Sequence, residues 1–178
     1  EAHRKGLGIM LHLPMEPFNQ YEILEPRTIM VSMKEAEIKK IVDDAVAAVP
    51  FAEGVNNHMG SAATSDARVM KTVLSRLKSK KLFFIDSHVV ATTKGLEFAR
   101  KTGIRFAERD VFIDNENNVV AIKKQLEKAL HIALTHGEAI VIGHDRKFTI
   151  QAIKEMIPAF DQAGVKLVFV RDVVKSSK

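Results

Sequence analysis

The chain has 178 residues, 46% of them hydrophobic and 28% charged, with no cysteine and a formal net charge of +5. That balance reads as one globular domain over 1–178 and excludes a disordered chain, a disulfide scaffold and a thiolate metal site. No apolar run approaches the ~20 residues that cross a bilayer, and the basic residues alternate with acids along helix faces, so neither a membrane span nor a nucleic-acid partner is expected.

In chain order, the first strand is expected over residues 6–11. An irregular connection over 18–31 then crosses the strand ends, where loops commonly carry function. Ser32 and Glu35 have capping-box spacing for a helix whose apolar face is Ile38, Ile41, Val42, Ala45 and Val49, closed by Pro50. A second strand is expected over 51–55. Ser65 or Asp66 caps the next helix, with inner positions Val69, Met70, Val73, Leu74 and Leu77, and the basic run 78–81 reads as its solvated end. The third strand, 82–85, is apolar throughout, as a strand covered on both faces should be. A helix starts at Thr92 or Thr93 and ends near Gly103; a fourth strand begins at Arg105 and continues through 110–115. Val119, Ile122, Leu126, Ala129, Leu130 and Ala133 give the stripe of a long helix that stops at Gly137. A buried strand over 139–143, a helix from about 148 to 163 containing Pro158, and a last strand over 166–170 complete the series. This alternation predicts an α/β fold with parallel strands and right-handed crossovers, doubly wound or curled into a barrel.

Several apolar runs end on polar clusters that contain His12, His58 and His144, or Asp86 and Ser87. Carboxyl ends of parallel strands share one face, where sites are built, and neutral imidazoles with carboxylates suit zinc and similar ions. A functional site is therefore expected there. His131 and His136 belong to a helix, and His88 stays ambiguous. Asn56, Asn57, Asp110 and Asp114 serve equally as turn residues or as ligands for hydroxyl groups, and Gly60-Ser61 is either a turn or a source of N–H groups for an oxyanion. No Gly-rich phosphate loop, Gly-x-Ser-x-Gly elbow or His-Glu-x-x-His helix occurs, which removes support for kinases, dinucleotide enzymes, serine hydrolases and zincins.

His12-Leu-Pro-Met-Glu16-Pro, Gly54-Val-Asn-Asn-His-Met-Gly-Ser61, Phe84-Ile-Asp-Ser87, Asp110-Val-Phe-Ile-Asp-Asn115 and Ile140-Val-Ile-Gly-His144, in that order, resemble the divergent polysaccharide deacetylase family, a remote branch of the metal-dependent polysaccharide deacetylases. The resemblance implies alternating β/α units in an irregular (β/α) barrel, the first two of which would lie upstream of Glu1. It also implies a divalent metal, usually zinc, and hydrolysis of N- or O-acetyl groups on an acetylated polysaccharide or oligosaccharide. A bacterial periplasmic or secreted location follows, with the export signal expected upstream. Carried onto this chain, His12 and His58 become metal ligands, with Glu16 standing where the parent enzymes have a second histidine. Glu16 or an upstream Asp becomes the base, and His144 the general acid, oriented by Asp86 or Asp145. Asn56, Asn57, Ser61, Ser87, Asp114 and Asp145 become substrate contacts. The alternative expectation is a catalytically degenerate envelope protein that binds glycan or a protein partner, since Glu16 replaces a histidine and sugar-stacking aromatics are few.

Overall fold

The computed structural model describes residues 1–176. Its elements are β1 (Met10–Met15), α1 (Glu35–Ala48), β2 (Gly54–Met59), α2 (Ser61–Ser65), α3 (Ala67–Ser79), β3 (Phe83–Asp86), α4 (Gly95–Thr102), β4 (Arg105–Glu108), β5 (Val111–Phe112), α5 (Val119–His136), β6 (Val141–Ile142), α6 (Lys147–Gln162), α7 (Val170–Val173) and β7 (Lys175–Ser176). They fall into two compact units, Glu1–Glu108 with the segment from Val174 onward, and Arg109–Val173.

In the first unit the strand order is β1-β2-β3-β4-β7, parallel except for β7, which runs antiparallel to β4. The pleat sends alternate residues to opposite faces. Leu11, Leu13, Met15 and Val55 point into a core shared with Phe84, Phe106, Ile38 and Val42 of α1, and Val69, Val73, Leu74 and Leu77 of α3. His12, Asn56 and His58 therefore lie on the other face. Both strands run further than the sequence reading placed them, carrying His12 and His58 within the ladder. Pro14 is tolerated because β1 is an edge strand. Its carbonyl accepts from Ile29 N on the outer side, so the N–H that proline lacks would also point away from β2.

Helix starts also shift. Lys34, not Ser32, caps α1, with Glu37 Oε2 accepting from Lys34 N at 2.7 Å. Asp66 caps α3 by accepting from Val69 N. The run 78–81 is not simply solvated, since Lys78 Nζ donates to Gly103 O and Lys80 pairs with Asp43 at 2.8 Å. α4 begins at Gly95 rather than at Thr92 or Thr93.

In the second unit β5 and β6 pair in parallel, Val111 with Val141 and Phe112 with Ile142. α5 and α6 cover them through Ile122, Leu126, Ala129, Ala152, Met156 and Phe160, grouped with Val111 and Ile113. Two expectations fail here. The strand before His144 is only two residues long and is not buried, with Val141 38% exposed. Residues 166–170 do not form the last strand: among the described residues no ladder pairs with them, Leu167, Val168 and Phe169 are exposed, and Val170 opens α7. An apolar β-branched run needs a partner backbone to become a strand.

Candidate functional site

The first unit carries a histidine pair. Met10↔Gly54 through Met15↔Met59 is the β1–β2 register, so His12 sits opposite Asn56, and His58 lies two residues further on the same face. The two rings meet edge to face, with His12 Nε2 and His58 Nδ1 3.0 Å apart. His12 is exposed and His58 half-buried. On the far side of the His58 ring, Glu25 Oε1 stands 3.8 Å from Nε2, an acid that the sequence did not single out. Two ligands of one tetrahedral zinc, each ~2.0–2.1 Å away, stand about 3.3 Å apart. At 3.0 Å the two nitrogens share a hydrogen bond, with donor and acceptor set by the tautomers, and an ion that took both rings as ligands would replace the shared proton. Among the described residues no group of three or more His, Cys, Asp or Glu side chains converges on such a point.

Glu16, the expected base, is used for folding. Its Oε2 accepts from Val31 N, its N–H donates to Ile29 O, and its carbonyl accepts from Ala62 N and Ala63 N. These bonds close the loop of residues 17–31 back onto β1. Arg68 holds the same loop by donating to the carbonyls of Met33 and Val31. Ser61, expected at the substrate, accepts from Phe18 N at 2.8 Å and so pins the loop's other end. The amides of Ala62 and Ala63, just beyond Gly60-Ser61, both donate to Glu16 O.

Asn57 and Ser87 are scaffold as well. They are 1% and 7% exposed. Asn57 Oδ1 accepts from Ser87 N, its Nδ2 donates to Met59 O, and Ser87 Oγ donates to Asn57 O. Asn56 stays half-buried, with Nδ2 3.3 Å from Ser87 Oγ. Asp86 is fully buried, accepting from His88 N at 2.8 Å and from the Thr93 hydroxyl at 2.6 Å. A Cβ on Gly95 would lie 2.3 Å from Asp86 Oδ2, which explains why α4 opens on glycine.

The second unit builds a different pair. Because Phe112 pairs with Ile142, Asp114 falls beside His144 two residues on. Asp114 Oδ1 is 3.0 Å from His144 Nδ1, while Oδ2 accepts from His144 N at 2.7 Å and from the Thr149 hydroxyl at 2.8 Å. Gly143 permits this approach, since a Cβ there would meet Ile113 Cγ1 at 2.7 Å. Burial pushes the Asp114 carboxyl up, but the bonds from the His144 amide, the Thr149 hydroxyl and the His144 ring outweigh it, and the group lies below the usual carboxylate range. An ionised carboxylate only accepts, so Nδ1 carries the proton and Nε2 faces outward on a side chain 51% exposed. The carboxylate that orients His144 is therefore Asp114. Asp86 has both oxygens committed elsewhere, and Asp145 is exposed. Asp114 itself has no exposed surface. The thirty-residue offset shared by Phe112 and Ile142 with Asp114 and His144 was the available signal; nothing marked Thr149.

Residues 1–174 match the family described as divergent polysaccharide deacetylase. The chain belongs to that family. Among curated relatives, the uncharacterized protein YibQ of Escherichia coli (strain K12) is 36% identical over 157 residues, 88% of this chain and 49% of its own length. An uncharacterized protein of Haemophilus influenzae (strain ATCC 51907 / DSM 11121 / KW20 / Rd) is 36% identical over 154 residues, 86% and 55% respectively. The chain thus spans about half the length of these curated relatives. A crystal structure of the uncharacterized protein ATU2773 from Agrobacterium tumefaciens C58 shares this chain's α/β fold, with a TM-score of 0.93 at 23% identity over 97% of this chain and 71% of that one. No helix among the described residues is long and apolar enough to cross a membrane.

Proposed function

We propose that this divergent deacetylase hydrolyses acetyl groups of a cell-envelope polysaccharide with the help of a divalent ion, zinc by the character of its ligands. The observation that carries the reading is the His12–His58 pair, two imidazole nitrogens 3.0 Å apart on the strand face opposite the core. Family membership supports the polysaccharide substrate. His12 and His58 would hold the ion, a carboxylate would complete the set, and Glu25 stands 3.8 Å behind the His58 ring as its nearest acid. When bound, such an ion polarises the acetyl carbonyl and acidifies a water. In the second unit His144 is the proton donor of this reading: with both ring nitrogens protonated it can give up the Nε2 proton to a leaving nitrogen or oxygen and keep the one on Nδ1. Asp114, anionic and buried, keeps Nδ1 protonated and steadies the ring through the transfer. The periplasm or the outside of the cell is the proposed location.

Metal content and acetate release test this together. About one ion per chain, lost in His12→Ala and His58→Ala, with acetate release abolished in those variants and in His144→Ala, is the expected result. A protein that takes up no divalent ion and releases no acetate, yet binds glycan, would replace the enzyme with a degenerate binding protein.

A further inference from the structure

We propose that the loop of residues 17–31 is the glycan-gripping element beside the histidine pair, with Phe18 and Tyr21 as its stacking faces; the identity of the ligand rests on the deacetylase reading. The loop is fastened at both ends next to that pair. Phe18 N donates to Ser61 Oγ, three residues beyond His58, and Glu25 reaches to 3.8 Å from His58 Nε2. Further on, Ile29 bridges to β1 and Val31 is held by Glu16 and Arg68. Inside these anchors the backbone is also ordered, with Tyr21 N donating to Asn19 Oδ1 and Asn19 Nδ2 to Glu22 Oε1. Yet Phe18 is 64%, Tyr21 85% and Ile23 92% exposed. Apolar side chains held in water on a tethered loop mark a surface meant to be covered.

The chemistry of the loop selects the occupant. A pyranose presents a face of C–H groups, which suits the rings of Phe18 and Tyr21, and an edge of hydroxyls, which suits the tyrosine hydroxyl, Asn19 and Glu22. Residues 18–25 contain two glutamates and no lysine or arginine, despite the chain's net charge of +5, so an anionic membrane finds no attraction here. An acetylated oligosaccharide, neutral and hydroxyl-rich, fits both features.

Tyr21 is the sole tyrosine and tryptophan is absent, so tyrosine emission reports on this loop alone. The wild-type chain would be titrated with N-acetylated chitotetraose, with O-acetylated cellotetraose and with phosphatidylglycerol vesicles. A saturable emission change with an acetylated oligosaccharide and none with vesicles is expected. Phe18→Ala, and Tyr21→Ala followed by calorimetry, should weaken that binding about five- to tenfold with Tm unchanged. No change with either oligosaccharide, a response to vesicles alone, or unaltered affinity in both variants would overturn the proposal. Acetate release with unchanged KM in both variants would sink the loop's role and leave the deacetylase standing. Loop-dependent binding without acetate release would do the reverse.

Discussion

Replacing Asp114 by asparagine separates what this side chain does for the fold from what it does for His144. Both structural donors, His144 N and the Thr149 hydroxyl, converge on Oδ2, whereas Oδ1 alone faces the ring. Asparagine with its oxygen in the Oδ2 position keeps the first two bonds and turns an NH2 group towards Nδ1, which must then become an acceptor. The ring proton moves to Nε2. One charge-assisted bond is exchanged for a neutral one, so Asp114→Asn should cost about 1 kcal/mol, or about 2–4 °C in Tm for a chain of this size. Asp114→Ala strips all three donors of a fully buried acceptor and should cost about 3–5 kcal/mol. Nitrogen-15 spectra of the histidine rings read the tautomer directly. Acetate release should fall by about 10²–10⁴ in the asparagine variant, because a neutral partner no longer steadies the doubly protonated ring that serves as the acid. The reasoning fails if the ring keeps its Nδ1 proton, or if asparagine destabilises as much as alanine.

Asp43 gives a pH test. Hydrogen bonds from Arg76, which grips it through Nε and Nη2 at 2.7 Å each, and from Lys80 lower its carboxyl to about 2. A depressed carboxyl stabilises the fold above its unfolded value of ~3.9, and that contribution is lost as pH falls from about 4 towards about 2. Because the side chain is 35% exposed, solvent screening keeps the effect to about 1 kcal/mol or less. Urea midpoints of Asp43→Asn should fall below wild type at pH 7 and converge with it near pH 2. Gly95→Ala should lose about 1–3 kcal/mol by thermal unfolding, since its Cβ would press on a buried carboxylate 2.3 Å away; an unchanged Tm would contradict the close approach. Arg68→Ala removes two donors to the carbonyls of Val31 and Met33, so amide exchange across residues 17–31 should quicken while α3, capped by Asp66, keeps its protection.

Helical stripes were the most legible part of the sequence, because Ile122, Leu126 and Ala129, or Val69, Val73 and Leu77, bury on one face at the helical period whatever lies around them. Strand limits were less so. Proline and paired asparagines read as breaks, yet Pro14 fits an outer edge and Asn57 replaces a core contact with bonds to Ser87 and Met59. Residues 166–170 have a strand's composition without a strand's neighbour, which no local pattern reveals. His12, His58 and His144 stood out in the sequence because each closes an apolar run. Their partners were not: Asp114 read as a turn residue or a substrate contact rather than as a histidine's partner, and Glu25 lies in a connection without periodicity.

The pleat that buries Leu11, Leu13 and Met15 is the same one that turns His12 outward beside His58. Core and chemistry on β1 are thus odd and even members of a single count. Inserting or deleting one residue between Met10 and His12 would exchange their roles, putting imidazole into the interior and leucine onto the open face. Substitution at position 12 leaves its side chain on the outward face, whereas a single-residue slip would take the core face of β1 with it.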